Sequence, residues 1–100
     1  MMQGTTPTHT FELPFDVSTF KTVRVVYSQN DTPVLAKTGE EVKISGSTVT
    51  VQLSQEDTFK FSTDKVVRIQ VRLLSRDGKA LASDIIVKSV QECLETEVME

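Results

Sequence analysis

The sequence predicts an all-β fold of antiparallel strands, and three observations carry that expectation. Apolar residues recur with period two along most of the 100-residue chain, so they line one face of each strand. Clusters of turn formers, "SQNDTP", "SGS" and "SRDG", cut the apolar runs into pieces of about five to ten residues. Val and Thr are abundant, which tilts the backbone toward strands, and no segment reads as a long helix.

The elements follow in chain order. Residues 1–8 are polar, Thr-rich and without periodicity, and read as a flexible N-terminal arm. In "TFELPF", Phe11, Leu13 and Phe15 alternate with Thr10, Glu12 and Pro14. Pro14 cannot donate to a ladder, so this is an edge strand or a strand end. "KTVRVVYS" places Val23, Val25 and Tyr27 on one side, with Arg24 and Val26 on the other. The "SQNDTP" turn separates it from "VLAKT", and "EVKI" follows with Val42 and Ile44 in phase. A hairpin at "SGS" leads into "TVTVQL", whose Val49, Val51 and Leu53 face one way and Thr48, Thr50 and Gln52 the other.

"SQEDTFKF" breaks the strand rhythm. Ser54 and Asp57 have the spacing of a capping pair, which predicts one short helical turn near residues 54–59 crossing between sheets. Phe59 and Phe61 would then close the end of the core. The neighbouring Glu56 and Asp57 read as carboxylates serving the dipole of that turn rather than as catalytic acids.

The stretch "RLLSRDGKALASDI" fixes the register of the last two strands. A two-residue loop on Asp77-Gly78 would pair Val71 with Asp84 and bury a carboxylate against the core, which is costly. A three-residue loop, Arg76-Asp77-Gly78, with glycine in the left-handed position of a bulge, removes that conflict. It pairs Ser75 with Lys79, Leu73 with Leu81, Val71 with Ser83, Ile69 with Ile85 and Val67 with Val87. On the outer face it sets Gln70 against Asp84, Val66 against Lys88, and Arg72 diagonal to Asp84. About seven such strands predict a β-sandwich of the immunoglobulin-like kind, with a small barrel as the alternative. The disulfide and tryptophan of antibody domains are absent, since the chain has one Cys and no Trp, so the likeness is one of architecture.

Composition narrows the function. The length suits one domain, residues 9–91, followed by an acidic tail at 92–100, "ECLETEVME". A formal net charge of −3 lacks the basic excess of a nucleic-acid binder. No run approaches the roughly 20 apolar residues of a membrane span, and "MMQGTTPTHT" lacks the design of a signal peptide. Cys93, alone, forms no intrachain disulfide, which suits folding in a cytoplasm. His9, the only histidine, is far in sequence from Cys93, the four glycines form no phosphate loop, and the acidic residues are dispersed. No catalytic, cofactor or metal residues are assigned. The candidate site is an interaction face: Val26, Arg68, Arg72, Leu74 and Ile86 fall at outward phase, apolar residues beside a small basic patch to which Arg24 adds from a nearby strand.

The residues "FELPF", "VRVVYSQND", "LSQEDTFKF" and "RIQVRLLSRDGKALASDIIVKSV" resemble a group of small proteins encoded in prophages of Gram-positive, Firmicute-type bacteria. The likeness runs from about Phe11 to Val90. It implies an immunoglobulin-like β-sandwich that serves as a virion or tail-assembly component. Its edge strands or a sheet face would contact copies of itself, giving a homo-oligomer, or neighbouring phage structural proteins. It further implies residence in the host bacterial cytoplasm during assembly and then in the virion. The alternative is a monomeric binding module for carbohydrate or a host protein, which would want exposed aromatics. Tyr27 and most of the five Phe are instead at inward phase. An enzyme, the third reading, would need a polar pocket around His9 or Cys93.

Overall fold

Two antiparallel sheets pack face to face in the computed structural model, which describes residues 1–100. The strands are β1 (Thr8–Glu12), β2 (Thr22–Gln29), β3 (Thr32–Thr38), β4 (Val42–Ser45), β5 (Thr48–Gln52), β6 (Val67–Leu74), β7 (Ala80–Ala82) and β8 (Ile86–Lys88). A 3-10 turn at Gly39–Glu41 precedes β4, and the helical turn α1 (Gln55–Phe59) follows β5. The small sheet runs β1-β5-β4; the large sheet runs β3-β2-β6, with β7 and β8 both pairing with β6. Counting β7 and β8 as two halves of one strand gives the expected seven. Lettered as in an immunoglobulin domain, the sheets are B-E-D and C′-C-F-G. No helix is long and apolar enough to cross a membrane.

The period-two residues make the core. Val23, Val25 and Tyr27 of β2 meet Val49, Val51 and Leu53 from the small sheet and Val67, Ile69, Val71 and Leu73 of β6, all buried. Phe61 is buried as expected, whereas Phe59 is only half-buried. In β4, the edge strand of the small sheet, Val42 is buried but Ile44, in the same phase, is exposed. Val17 is a core residue outside any strand. Its amide donates to the Gly46 carbonyl, which pulls the 13–21 connection across the end of the sandwich.

Turn chemistry matches the backbone. Asn30 and Asp31 both take positive φ, 51° and 62°, in a two-residue hairpin that starts β3. Gly78 has φ 87°, Ser75 N–H donates to the Lys79 carbonyl at 2.8 Å and Gly78 N–H to the Ser75 carbonyl at 3.1 Å. That is the three-residue loop. Ser54 accepts from the Asp57 amide at 3.1 Å while Asp57 accepts from the Ser54 amide at 2.9 Å, closing the capping box of α1.

One part of the expected register is corrected. Leu73 pairs with Leu81, and Ser83 N–H donates to the Val71 carbonyl, as the loop dictates. Beyond that point Ile69 pairs with Ile86, Arg68 with Val87 and Val67 with Lys88. Asp84 and Ile85 together oppose Gln70, a bulge that slips the strand by one residue. The Ser83 hydroxyl accepts from the Val71 amide at 2.9 Å and Gln70 Nε2 donates to the Ser83 carbonyl at 3.0 Å, so the ladder loses little across the slip. The consequence is a change of face. Ile85 and Val87 turn outward, while Ile86 and Lys88 turn toward the sandwich interior.

Residues 1–8, read as a flexible arm, are tied to the end of the sandwich that carries α1. Gln3 N–H donates to the Gln91 carbonyl at 3.0 Å and Gln91 N–H to the Met1 carbonyl at 2.8 Å, around a parallel bridge between Met2 and Gln91. Gln3 Nε2 donates to the Phe61 carbonyl, and the Thr58 hydroxyl lies 3.1 Å from the Thr5 carbonyl. Gly4, at φ 75°, sits where a Cβ would come within 2.9 Å of the Phe59 ring and 3.1 Å of Cys93 Sγ, so this contact needs glycine.

Candidate interaction surfaces

Three places bring chemistry-bearing side chains together. The first is polar and partly internal. His9 Nδ1 lies 2.7 Å from the Tyr27 hydroxyl, and Tyr27 packs on Phe61. Burial, then the nearby Lys88 ammonium, lower the His9 pKa below its ordinary value, and burial raises that of the Tyr27 phenol. Cys93 faces Gly4 instead, so the structure does not bring His9 and Cys93 together. Asp57 is the other buried polar centre: Lys37 Nζ on β3 lies 2.8 Å from its Oδ2. Burial pushes the Asp57 carboxyl up, but the bonds from Lys37 and the Ser54 amide outweigh it and hold the pKa below the usual value. The same bond to Asp57 raises the pKa of Lys37. Every buried side-chain polar atom has a partner, and this constellation reads as a tie between edge strand and helical turn.

The second place is a seam along one side of the sandwich. Here the free edge of β1, with its continuation to Phe15, faces the free edge formed by β7 and β8. The sheets do not close over it. They leave a cleft of about 440 Å³ whose apolar wall is Phe11, Leu13, Phe15, Leu73, Leu81 and Ile86. Glu12, Ser83 and Asp84 line its mouth. Eleven large apolar side chains are exposed in the whole molecule, and Leu81, Ile85, Ile86 and Val87 put four of them on this one edge. An immunoglobulin sheet of order A-B-E-D would carry a further strand beside β1. No strand of residues 1–100 occupies that position.

The third place is the outer face of the large sheet. Val26, Ser28, Arg68, Gln70, Arg72 and Ile85 line a shallow hollow of about 310 Å³. Arg24 and Arg72 are direct cross-strand partners, and Leu74 lies at the β6 end of the same face, around a smaller hollow of about 160 Å³. Of the candidate face Val26, Arg68, Arg72, Leu74 and Ile86, the structure gathers the first four. Ile86 is corrected: the bulge sends it into the seam and puts Ile85 in its place. Arg72 does not reach Asp84, which lines the seam, and its cross-strand partner is Ala82.

The seam was missed by sequence reasoning because period-two phase marks Phe11, Leu81 and Ile86 only as inward or outward. Whether an inward residue is covered depends on which strands close the side. No group of three or more His, Cys, Asp or Glu is clustered to hold a metal ion. Comparison of the chain with protein-family models, with curated proteins and with solved structures returns no match in any of the three.

Proposed function

We propose that this chain is a non-enzymatic structural or assembly protein of a phage or prophage particle, acting through protein–protein contacts. The observation that carries the reading is the open seam. A β-edge that carries Leu81, Ile85, Ile86 and Val87 beside an unfilled apolar cleft has the two parts of a strand-addition site. Main-chain groups on the free edge supply the ladder, and the cleft receives alternate side chains of the incoming strand. A soluble monomer that left this edge bare would risk non-specific pairing, which an assembled particle removes by covering it. The resemblance of the strand and turn segments to small prophage-encoded proteins points the same way.

The second reading, a monomeric module for carbohydrate, has less support. Tyr27, Phe11 and Phe61 are buried, and among the aromatics only Phe15 is exposed, so no stacking platform is present.

Quantitative mass spectrometry with cross-linking on purified particles, induced from the lysogen that encodes the chain, tests the proposal. Expected is a fixed multiple of copies per particle, with cross-links from Lys79 or Lys88, which flank the seam edge, to a neighbouring chain. Absence from both mature particles and assembly intermediates would overturn it.

A further inference from the structure

A like-charged pair stands without a counter-charge at one end of the large sheet. Arg24 and Arg72 are opposed directly across β2 and β6, where Cβ atoms lie about 5 Å apart and like charges repel. Neither guanidinium enters any of the five ion pairs of the molecule, nor any side-chain hydrogen bond. Their strand neighbours are small: Thr38 beside Arg24, Ala82 beside Arg72 and Ala80 beside Leu74. The two arginines therefore stand clear over a hollow of about 160 Å³ floored by Thr22, Leu73, Leu74 and Ala80. That is room for one aliphatic side chain.

The complement lies in the C-terminal segment. Segment 92–98 carries Glu92, Glu95 and Glu97 and no basic residue, and none of these carboxylates is ion-paired. Both its flanks are pinned beside α1, Gln91 by its bonds to Met1 and Gln3, and Met99 by a reciprocal amide pair with Gln55 at 2.8 and 3.0 Å. Between the anchors Cys93 turns in toward Gly4, while the adjacent Leu94 points out and is 100% exposed. The arginine pair lies on the outer face of the large sheet, four residues or about 13 Å along the strands from the Ser28–Arg68 pair. Within one copy the segment does not reach the pair: Leu94 is fully exposed and none of its glutamates meets an arginine.

We propose that the 92–98 segment of one copy docks at the Arg24–Arg72 end of a second copy. Leu94 enters the hollow, and the flanking glutamates neutralise the two guanidinium groups. The contact uses different surfaces on the two partners, so it is heterologous and repeats head to tail. This deepens the assembly reading, on which it rests, by naming a second copy as one partner and leaving the seam free for another.

The test uses two variants of the full chain and light scattering after size exclusion. Arg72→Glu blocks the receiving end and gives Arg24 an opposite charge across the strand, so folding is retained. Leu94→Asp blocks the presented segment at a side chain that touches nothing. Thermal melts check both. Wild type is expected to form species larger than 11.1 kDa at low salt, growing with concentration, and to fall back toward the protomer between roughly 0.05 and 0.5 M salt. Each variant alone is expected to remain a protomer. Mixed together, they are expected to give a species of twice the protomer mass and nothing larger, because each supplies one intact end. Wild type that stays a protomer at every concentration and salt overturns the head-to-tail contact. So does association that survives both variants, or a mixture that forms no dimer. None of these results bears on copies counted in particles, so the assembly reading stands or falls separately.

Discussion

At the scale of single residues, Asp57 does most to join separate elements. It caps α1 through the Ser54 amide and holds Lys37 of β3 while itself almost fully buried. Asp57→Asn keeps the shape and part of the cap but leaves Lys37 facing an amide. We expect a loss of about 2–3 kcal/mol in unfolding free energy, read from denaturant melts, less than for a fully buried pair because Lys37 keeps some contact with solvent and asparagine keeps part of the cap. The pH dependence has a definite sign. Because the Asp57 pKa is lowered in the fold, its contribution is complete above the ordinary value of 3.8 and is lost as pH falls through the lower folded value. The His9 pKa is lowered too, so the folded state prefers neutral imidazole. Stability from His9 is complete above 6.5 and declines as pH falls from there toward the folded value. Melting temperature should therefore drop in two acid steps. His9→Gln should remove the upper step and Asp57→Asn the lower. A wild-type curve flat from neutrality to about pH 4 would contradict the His9 assignment.

At the scale of elements, the hairpin from β6 to β8 shows both what was legible and what was not. Loop length could be read because Leu73, Leu81, Val71 and Ser83 match in only one register near the turn, and Gly78 supplies the positive φ that this register needs. Gly78→Ala should cost about 1 kcal/mol or more in chemical denaturation, since an alanine at φ 87° is strained though no atom crowds it. The bulge at Asp84–Ile85 could not be read. Ile85 and Ile86 are adjacent and equally apolar, so pattern matching is blind to which one faces the core. What decides is hydrogen bonding by Ser83 and Gln70, side-chain chemistry that a binary apolar pattern discards. The same blindness put Ile86 on the wrong face of the candidate site while leaving Val26, Arg68, Arg72 and Leu74 in place. The capping pair at Ser54 and Asp57 was legible because its spacing is chemical, whereas the Asp57–Lys37 bond joins residues 20 positions apart that no local pattern links.

At the scale of the whole molecule, the sandwich has one sealed side and one open one. Lys37, Asp57 and the 3-10 turn draw β3 and β4 together, while β1 and β7–β8 remain apart. Leu81→Lys with Ile86→Lys should leave the melt within about 1 kcal/mol, because both side chains are already substantially exposed. The same pair should abolish binding of a dye such as ANS, which reports accessible apolar clefts. Undiminished dye fluorescence in the double variant would mean that the seam is not the principal apolar opening.

The bulge also has a kinetic side. Near the turn the hairpin follows the register set by its loop, and beyond Ser83 it follows one shifted by a residue. A chain zipping up from the turn meets Ile85 opposite Ile69 before Ile86, an apolar match as good locally but wrong by one. Refolding should therefore divide between molecules that insert the bulge at once and molecules that zip past it and must back out, giving two exponential phases in stopped-flow fluorescence of Tyr27. Deleting Asp84 makes the two registers one. The slower phase should vanish, in a protein whose final strand still carries Ile86 inward.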